Sequence, residues 1–128
     1  MSIEVRPARE PDLPAVMNVL DGGLLDAPVE TVRAGMGEAT LVATAGGQVV
    51  GALVLDGERV AGVAVRPRRR GQGIGTALVA AAADRRDRLV AACREGVAPF
   101  YAKLGFDLDD PDEDGRVRGV LRDGVDVP

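Results

Sequence analysis

The stretch "RPRRRGQGIGTALV" occupies residues 66–79. Four arginines stand within five positions, at Arg66, Arg68, Arg69 and Arg70, in a chain whose net charge is −4. Three glycines follow at alternate positions, Gly71, Gly73 and Gly75, and from Ile74 the apolar period becomes that of a helix. The first amides of a helix have no partner inside it, and the dipole makes that end positive. A loop without side chains lets an anion reach those amides, and arginines add charge-assisted hydrogen bonds. The stretch reads as a phosphate seat placed between a strand and a helix.

The flanking segments supply both elements. Upstream, "TLVATA" (residues 40–45), "QVVGALVL" (48–55) and "ERVAGVAV" (58–65) are apolar runs. Gly46-Gly47 and Asp56-Gly57 separate them as hairpin turns, so the three runs predict an antiparallel meander. Pro67 ends the third. Downstream, Ile74, Ala77, Leu78, Ala81 and Ala82 form one apolar helical stripe. Residues 89–93 suit a short strand, 97–104 a helix stopped by Gly105, and 116–121 a last strand. At the start, Ile3, Val5 and Pro7 alternate with polar positions as a strand. Leu13, Val16, Met17 and Leu20 mark a helix face that Gly22-Gly23 ends, and a second short helix fits residues 29–36. The expected architecture is a single α/β domain over residues 1–128, with a mixed, mostly antiparallel sheet flanked by about four helices.

Composition removes several chemistries. There is no histidine, and the only serine is Ser2, so histidine-based triads and histidine metal sites are excluded. No metal site is expected. The single Cys93 cannot form an internal disulfide and reads as a small buried hydrophobe. No apolar run approaches the roughly 18 residues of a membrane span. The opening "MSIEVRPARE" lacks the apolar core of a secretory signal, which makes a cytoplasmic protein the expectation. The arginine run is short, has no aromatic neighbour, and sits in an acidic chain, which argues against nucleic acid. Only Lys103 breaks the arginine monopoly among the cations, and twenty acids oppose them. Such a surface suits a halophilic protein. The acidic run 110–115 imitates half of a calcium loop, but Leu121 stands where the closing glutamate belongs, so it reads as a surface turn.

A P-loop would need a lysine after its glycines, and a dinucleotide fingerprint would need glycine where Thr76 stands. By contrast, Arg70-Gly71-Gln72-Gly73-Ile74-Gly75 matches the pattern Arg/Gln-x-x-Gly-x-Gly/Ala. Downstream, Pro99-Phe100-Tyr101-Ala102-Lys103-Leu104-Gly105-Phe106 matches a segment of the form F-Y-x-K-x-G-F. Together with the order of elements, these two segments resemble the GNAT superfamily of N-acetyltransferases.

That resemblance implies an enzyme that moves the acetyl group of acetyl-CoA to a primary amine by direct attack. It places the coenzyme's pyrophosphate on Arg70, Gly71, Gln72, Gly73, Ile74 and Gly75, with Thr76 adjacent. It gives Val63, Ala64 and Val65 main-chain hydrogen bonds to the pantetheine arm, and an oxyanion donor from the same strand. Tyr101 matches the tyrosine that protonates the departing thiolate, and Phe100 and Phe106 read as packing residues. By their charge alone, Arg66 and Arg68 read as plain solvated residues, with at least one of Arg68 and Arg69 the candidate to meet the coenzyme's 3′-phosphate. The resemblance leaves the general base open. Arg59 and Leu89 occupy places where relatives carry a glutamate, and Arg94 one where they carry an asparagine. Glu58, a carboxylate within residues 26–38, or a water chain stays possible in that role. The amine acceptor is a small molecule or peptide of unread identity, and a homodimer is common among similar proteins. The other reading is a non-catalytic domain that binds CoA or acyl-CoA as a sensor or interaction module.

Overall fold

The computed structural model describes residues 2–21, 24–25 and 29–122. Its sheet runs β1 (Glu4–Pro7), β3 (Thr40–Ala45), β4 (Gln48–Asp56), β5 (Arg59–Val65), β6 (Arg88–Arg94), β8 (Arg116–Arg122) and β7 (Asp107–Leu108) across its width. A two-residue β2 (Leu24–Leu25) joins β5 from outside this path. Every neighbouring pair is antiparallel except β5–β6. Helices α1 (Leu13–Asp21), α2 (Val29–Ala34), α3 (Ile74–Ala83) and α4 (Ala98–Lys103) complete the mixed α/β domain expected from the sequence.

The meander forms where the glycine turns place it. Gly46 and Gly47 both have positive φ, at 58° and 82°, the conformation a tight two-residue hairpin needs. The strands are apolar on both sides because both sides are covered. Leu41, Ala43, Leu53, Leu55, Val63, Leu89, Ala91 and Cys93 pack with α3 and α4. Val42, Ala52, Val54, Ala61 and Ala64 face the other way, against Val16, Val19 and Leu20 of α1 and Val32 of α2. Helix α3 lies unusually close to β4 at Gly51. A Cβ there would stand 3.0 Å from Ile74 Cγ2 and 3.2 Å from Leu78 Cδ1. Glycine at 51 thus lets the first turn of α3 settle onto the sheet.

Three details differ from the sequence reading. Helix α2 ends at Ala34, where the Gly35 amide is shared between the Thr31 and Val32 carbonyls and a turn follows. Strands β2 and β7 add to the expected set. Arg66 is no free charge: its Nε donates to the Val49 carbonyl at 2.8 Å and its Nη1 to Asn18 Oδ1 at 3.1 Å, tying α1 to the meander. The expected Gly22-Gly23 stop lies outside the described residues. The acidic run does form a turn between β7 and β8, where Asp112 Oδ1 accepts from the amides of Asp114 and Arg116. No cluster of three metal-ligating side chains occurs among the described residues, and no helix there is long and apolar enough to cross a membrane.

Candidate active site

Strand β5 decides where the site can be. The Arg66 amide donates to the Val50 carbonyl at 2.8 Å. Antiparallel bonding alternates along a ladder, and β4 faces β5 in the register Gly51↔Val65 and Ala52↔Ala64. Ala64 therefore bonds to β4, whereas the N–H and C=O groups of Val63 and Val65 point away from it. On that far edge β6 pairs with β5 at one position, Arg59↔Val90. Beyond it the two parallel strands diverge. Strand β2 meets part of the open edge, with Leu24 opposite Val63. Arg70 Nε donates to the Val65 carbonyl at 3.2 Å.

A cleft of about 570 Å³ opens beside this edge, between α3 and α4. Nine of the residues singled out from the sequence line it: Val63, Ala64, Val65, Arg70, Gly71, Gly73, Ile74, Gly75 and Thr76. Gln72, the tenth, is exposed and lies outside the lining. Gly71 and Gly73 each have φ of 80°, a left-handed conformation that favours glycine. A Cβ on either would meet nothing within 4 Å, so the loop's bare backbone fronts open space. Gly73 is also the N-cap of α3 and offers no side chain of its own to the amides of the first turn. Those amides stay available to a ligand, at the positive end of the helix.

Among the described residues the lining carries three cations, Arg69, Arg70 and Lys103, and no carboxylate. Arg68 is not part of it. Within an acidic chain, this gathers positive charge along one cleft wall. The apolar part of the wall comes from α4, whose Phe100 and Leu104 lie on one helical face with Lys103. Phe100 corrects the expectation of a packing residue. It is 37% exposed, and its ring stands over Gly75 at 3.6 Å from where a Cβ would be. Phe106 does pack, at 5% exposure.

Tyr101 sits one layer deeper. It is 4% exposed, edge-on to Phe100 at 5.1 Å and to Phe106 at 5.2 Å between ring centroids. It does not line the cleft directly. Burial, with a smaller contribution from neighbouring Cys93, pushes its phenol up to about 12. The Cys93 thiol, itself buried, is also raised by desolvation. Both groups thus hold their protons at neutral pH. Of the base candidates, Glu58 is engaged by Arg88 Nε at 2.9 Å and Glu38 by Arg86 Nη1 at 2.7 Å, and neither lines the cleft. Asp26 lies outside the described residues.

The family model described as an acetyltransferase (GNAT) domain matches residues 36–108, more than half of the chain. No curated protein matches the sequence. Among solved structures, the chain is similar to N-acetylglutamate synthase from Neisseria gonorrhoeae, solved with coenzyme A and N-acetyl-glutamate. That likeness has a TM-score of 0.77 at 20% identity and covers 95% of this chain but 35% of the synthase chain. The chain thus spans about a third of that relative. It is also similar to the ribosomal-protein-S18-alanine N-acetyltransferase of Escherichia coli, with a TM-score of 0.71, 19% identity and 94% of both chains covered. A Mycobacterium tuberculosis protein solved in complex with CoA gives 0.71 at 23% identity, over 93% of this chain and 98% of that one. At these identities the likenesses speak for the fold, and the matched family model speaks for kinship. The protein belongs to the GNAT acetyltransferase family.

Proposed function

We propose that the protein transfers an acetyl group from acetyl-CoA to a primary amine. One observation carries the reading: a cleft that, among the described residues, has three cations and no carboxylate opens onto the bare glycine turn that begins α3. Two of the relatives above were solved with coenzyme A, whose anionic diphosphate and apolar arm suit that charge and the Phe100–Leu104 wall. Bound there, acetyl-CoA supplies an activated acyl group.

The residues of the chain then have separable tasks. Amides from Gly71 to Thr76 hold the diphosphate, with Arg69, Arg70 and Lys103 adding charge. Val63 faces β2 and the Val65 carbonyl already accepts from Arg70, so the Val65 amide is the outward group left to offer an extended arm a strand-like hydrogen bond or to serve as oxyanion donor. Tyr101 gives the proton that the leaving thiolate needs. Its raised value keeps the phenol protonated across the physiological range. Measured thiol release from acetyl-CoA with a panel of amines tests the proposal. Acetyl-CoA should raise the melting temperature, and at least one amine should be consumed. Tyr101→Phe should lower turnover by about 100-fold with little effect on cofactor affinity.

A second reading has its own support. No carboxylate lines the cleft among the described residues, so neither Glu38 nor Glu58 stands beside it as a general base. A domain that binds CoA or an acyl-CoA without turnover would look the same. A rise in melting temperature with no acceptor consumed would favour it.

A further inference from the structure

Strand β6 has two unlike faces. Leu89, Ala91 and Cys93 are buried with α3 and α4, and Val117 of β8 joins them. Side chains alternate along a strand, so Ala92 and Arg94 turn to the opposite face, beside Arg116 and Arg118 of β8. These four residues are exposed. Helices α1 and α2 cover that face over β3, β4 and β5, and the core they form includes no residue of β6 or β8.

The register sets Arg94 directly opposite Arg116, and Ala92 opposite Arg118. The Glu95 amide donates to the Gly115 carbonyl at 3.1 Å. Arg94 and Arg116 are therefore a non-hydrogen-bonded pair, the kind whose side chains stand closer. Like charges placed so repel and destabilise the sheet. Elsewhere the chain gives its arginines a partner: Arg6 has Asp12, Arg86 has Glu38, and Arg88, on the same face of β6, has Glu58. Arg94, Arg116 and Arg118 have no ion pair among the described residues. Asp112, in the turn before β8, directs its Oδ1 to the amides of Asp114 and Arg116 instead. The three guanidiniums also stand close to the cleft. Beyond Arg59↔Val90 the strands β5 and β6 diverge, and β2 takes up part of the gap at Gly62 and Val63. Arg94 ends β6, two residues before Gly96, which lines the cleft.

We propose that the acceptor is an amine that also carries carboxylate, and that Arg94, Arg116 and Arg118 hold that carboxylate on the open face of β6 and β8. The inference rests on the reading of the cleft as an acetyl-CoA site. Coenzyme in the cleft lies on the side of α3 and α4, which leaves the arginine side of the gap for the acceptor. A guanidinium grips a carboxylate through two parallel N–H donors. Neighbouring guanidiniums favour a dicarboxylate over a monocarboxylate and repel a polyamine. The arginines select and orient the acceptor; they take no part in the bond changes at the thioester.

The test compares kcat/KM for thiol release with L-glutamate, L-glutamine and L-glutaminamide, which share one skeleton and differ in how many carboxylates they carry, and with putrescine. The value should fall about ten-fold for each carboxylate removed, as a charge-assisted contact is lost, and putrescine should be inert. Arg116→Gln and Arg118→Gln should each raise KM for L-glutamate about ten-fold and hold CoA affinity within about two-fold. Arg116→Lys should recover part of the loss, and neither Gln variant should melt below the native chain. L-glutaminamide or putrescine turned over as well as L-glutamate overturns the inference and leaves acetyl transfer standing. Native KM in both Gln variants overturns it too. A lowered melting temperature in both assigns the arginines to the fold and overturns their binding role. Stabilisation by CoA with none of the four amines consumed overturns the inference alone, and no stabilisation by CoA removes the reading beneath it.

Discussion

The two edges of β5 behave as if they belonged to different strands. Toward β4 the pairing runs from Arg59 to Val65 with one bulge. Toward β6 it amounts to Arg59↔Val90. The closed edge lies in the core, among side chains that are fully buried. The open edge is met by β2 at Gly62 and Val63 and borders a cleft beyond it, where the Val65 carbonyl accepts from Arg70. One strand thus supports the fold on one side and presents polar backbone on the other. The contrast teaches that stability and ligand recognition are separable here, and substitutions should show it.

The largest effect is expected on the closed edge. Leu53 is fully buried in β4 opposite Val63. Leu53→Ala should cost about 3 kcal/mol of stability, from lost apolar burial plus the cavity left behind. Folded protein, assayed well below its melting temperature, should bind CoA as before. Denaturant unfolding and a binding titration check both halves. A large loss of affinity in the folded variant would break the separation.

On the open side, Gly73→Val should do the reverse. At φ of 80° a β-branched residue is strained by about 1–2 kcal/mol, and its methyl groups enter the space over the loop. CoA affinity should fall about 100-fold, as two or more charge-assisted hydrogen bonds are lost. Calorimetry reads this directly. Retained affinity would move the anion seat elsewhere.

What the sequence disclosed follows the same division. The meander and the start of α3 were legible because glycine pairs and a change of period are local signals. The left-handed turns at Gly71 and Gly73 were legible for the same reason, and nine of the ten residues proposed from the sequence to hold coenzyme line one cleft. The divergence of β5 from β6 was not, since it depends on how two distant segments pair. The exposure of Phe100 was hidden because an aromatic beside Tyr101 in an apolar segment reads as core. Arg66 looked solvated within a run of arginines, yet its partners are an α1 side chain and a β4 carbonyl. Strands β2 and β7, two residues each, are too short to show a period.

Tyr101 lies between the two regimes, buried like the core yet adjacent to the cleft, and pH separates its roles. Its folded value is raised from 10 to about 12. Below pH 10 it is protonated whether the chain is folded or unfolded, and burial of the neutral phenol contributes in full. From pH 10 upward the unfolded chain ionises first, so stability drains away until about pH 12. The loss should reach about 2–3 kcal/mol at most. Unfolding titrations at pH 9 and pH 11 should show a steeper fall for the native chain than for Tyr101→Phe. The absorbance of the single tyrosine, in a chain without tryptophan, reports its ionisation without interference. A phenolate that forms near pH 10 in the folded protein would place the ring in water.

Phe100 should give the smallest effect and the sharpest division. Its ring is 37% exposed and covers Gly75 at the cleft wall. Phe100→Ala removes little that is buried in the free protein, so stability should change by about 1 kcal/mol or less. An apolar arm lying against that wall would lose its contact, and CoA affinity should drop about three- to ten-fold. Comparing CoA with a diphosphate nucleotide that lacks the pantetheine arm isolates the contact. The substitution should weaken CoA and leave the nucleotide unchanged. Equal weakening of both would mean that Phe100 shapes the glycine loop, because only a displaced loop would alter the grip on a ligand that never reaches the ring.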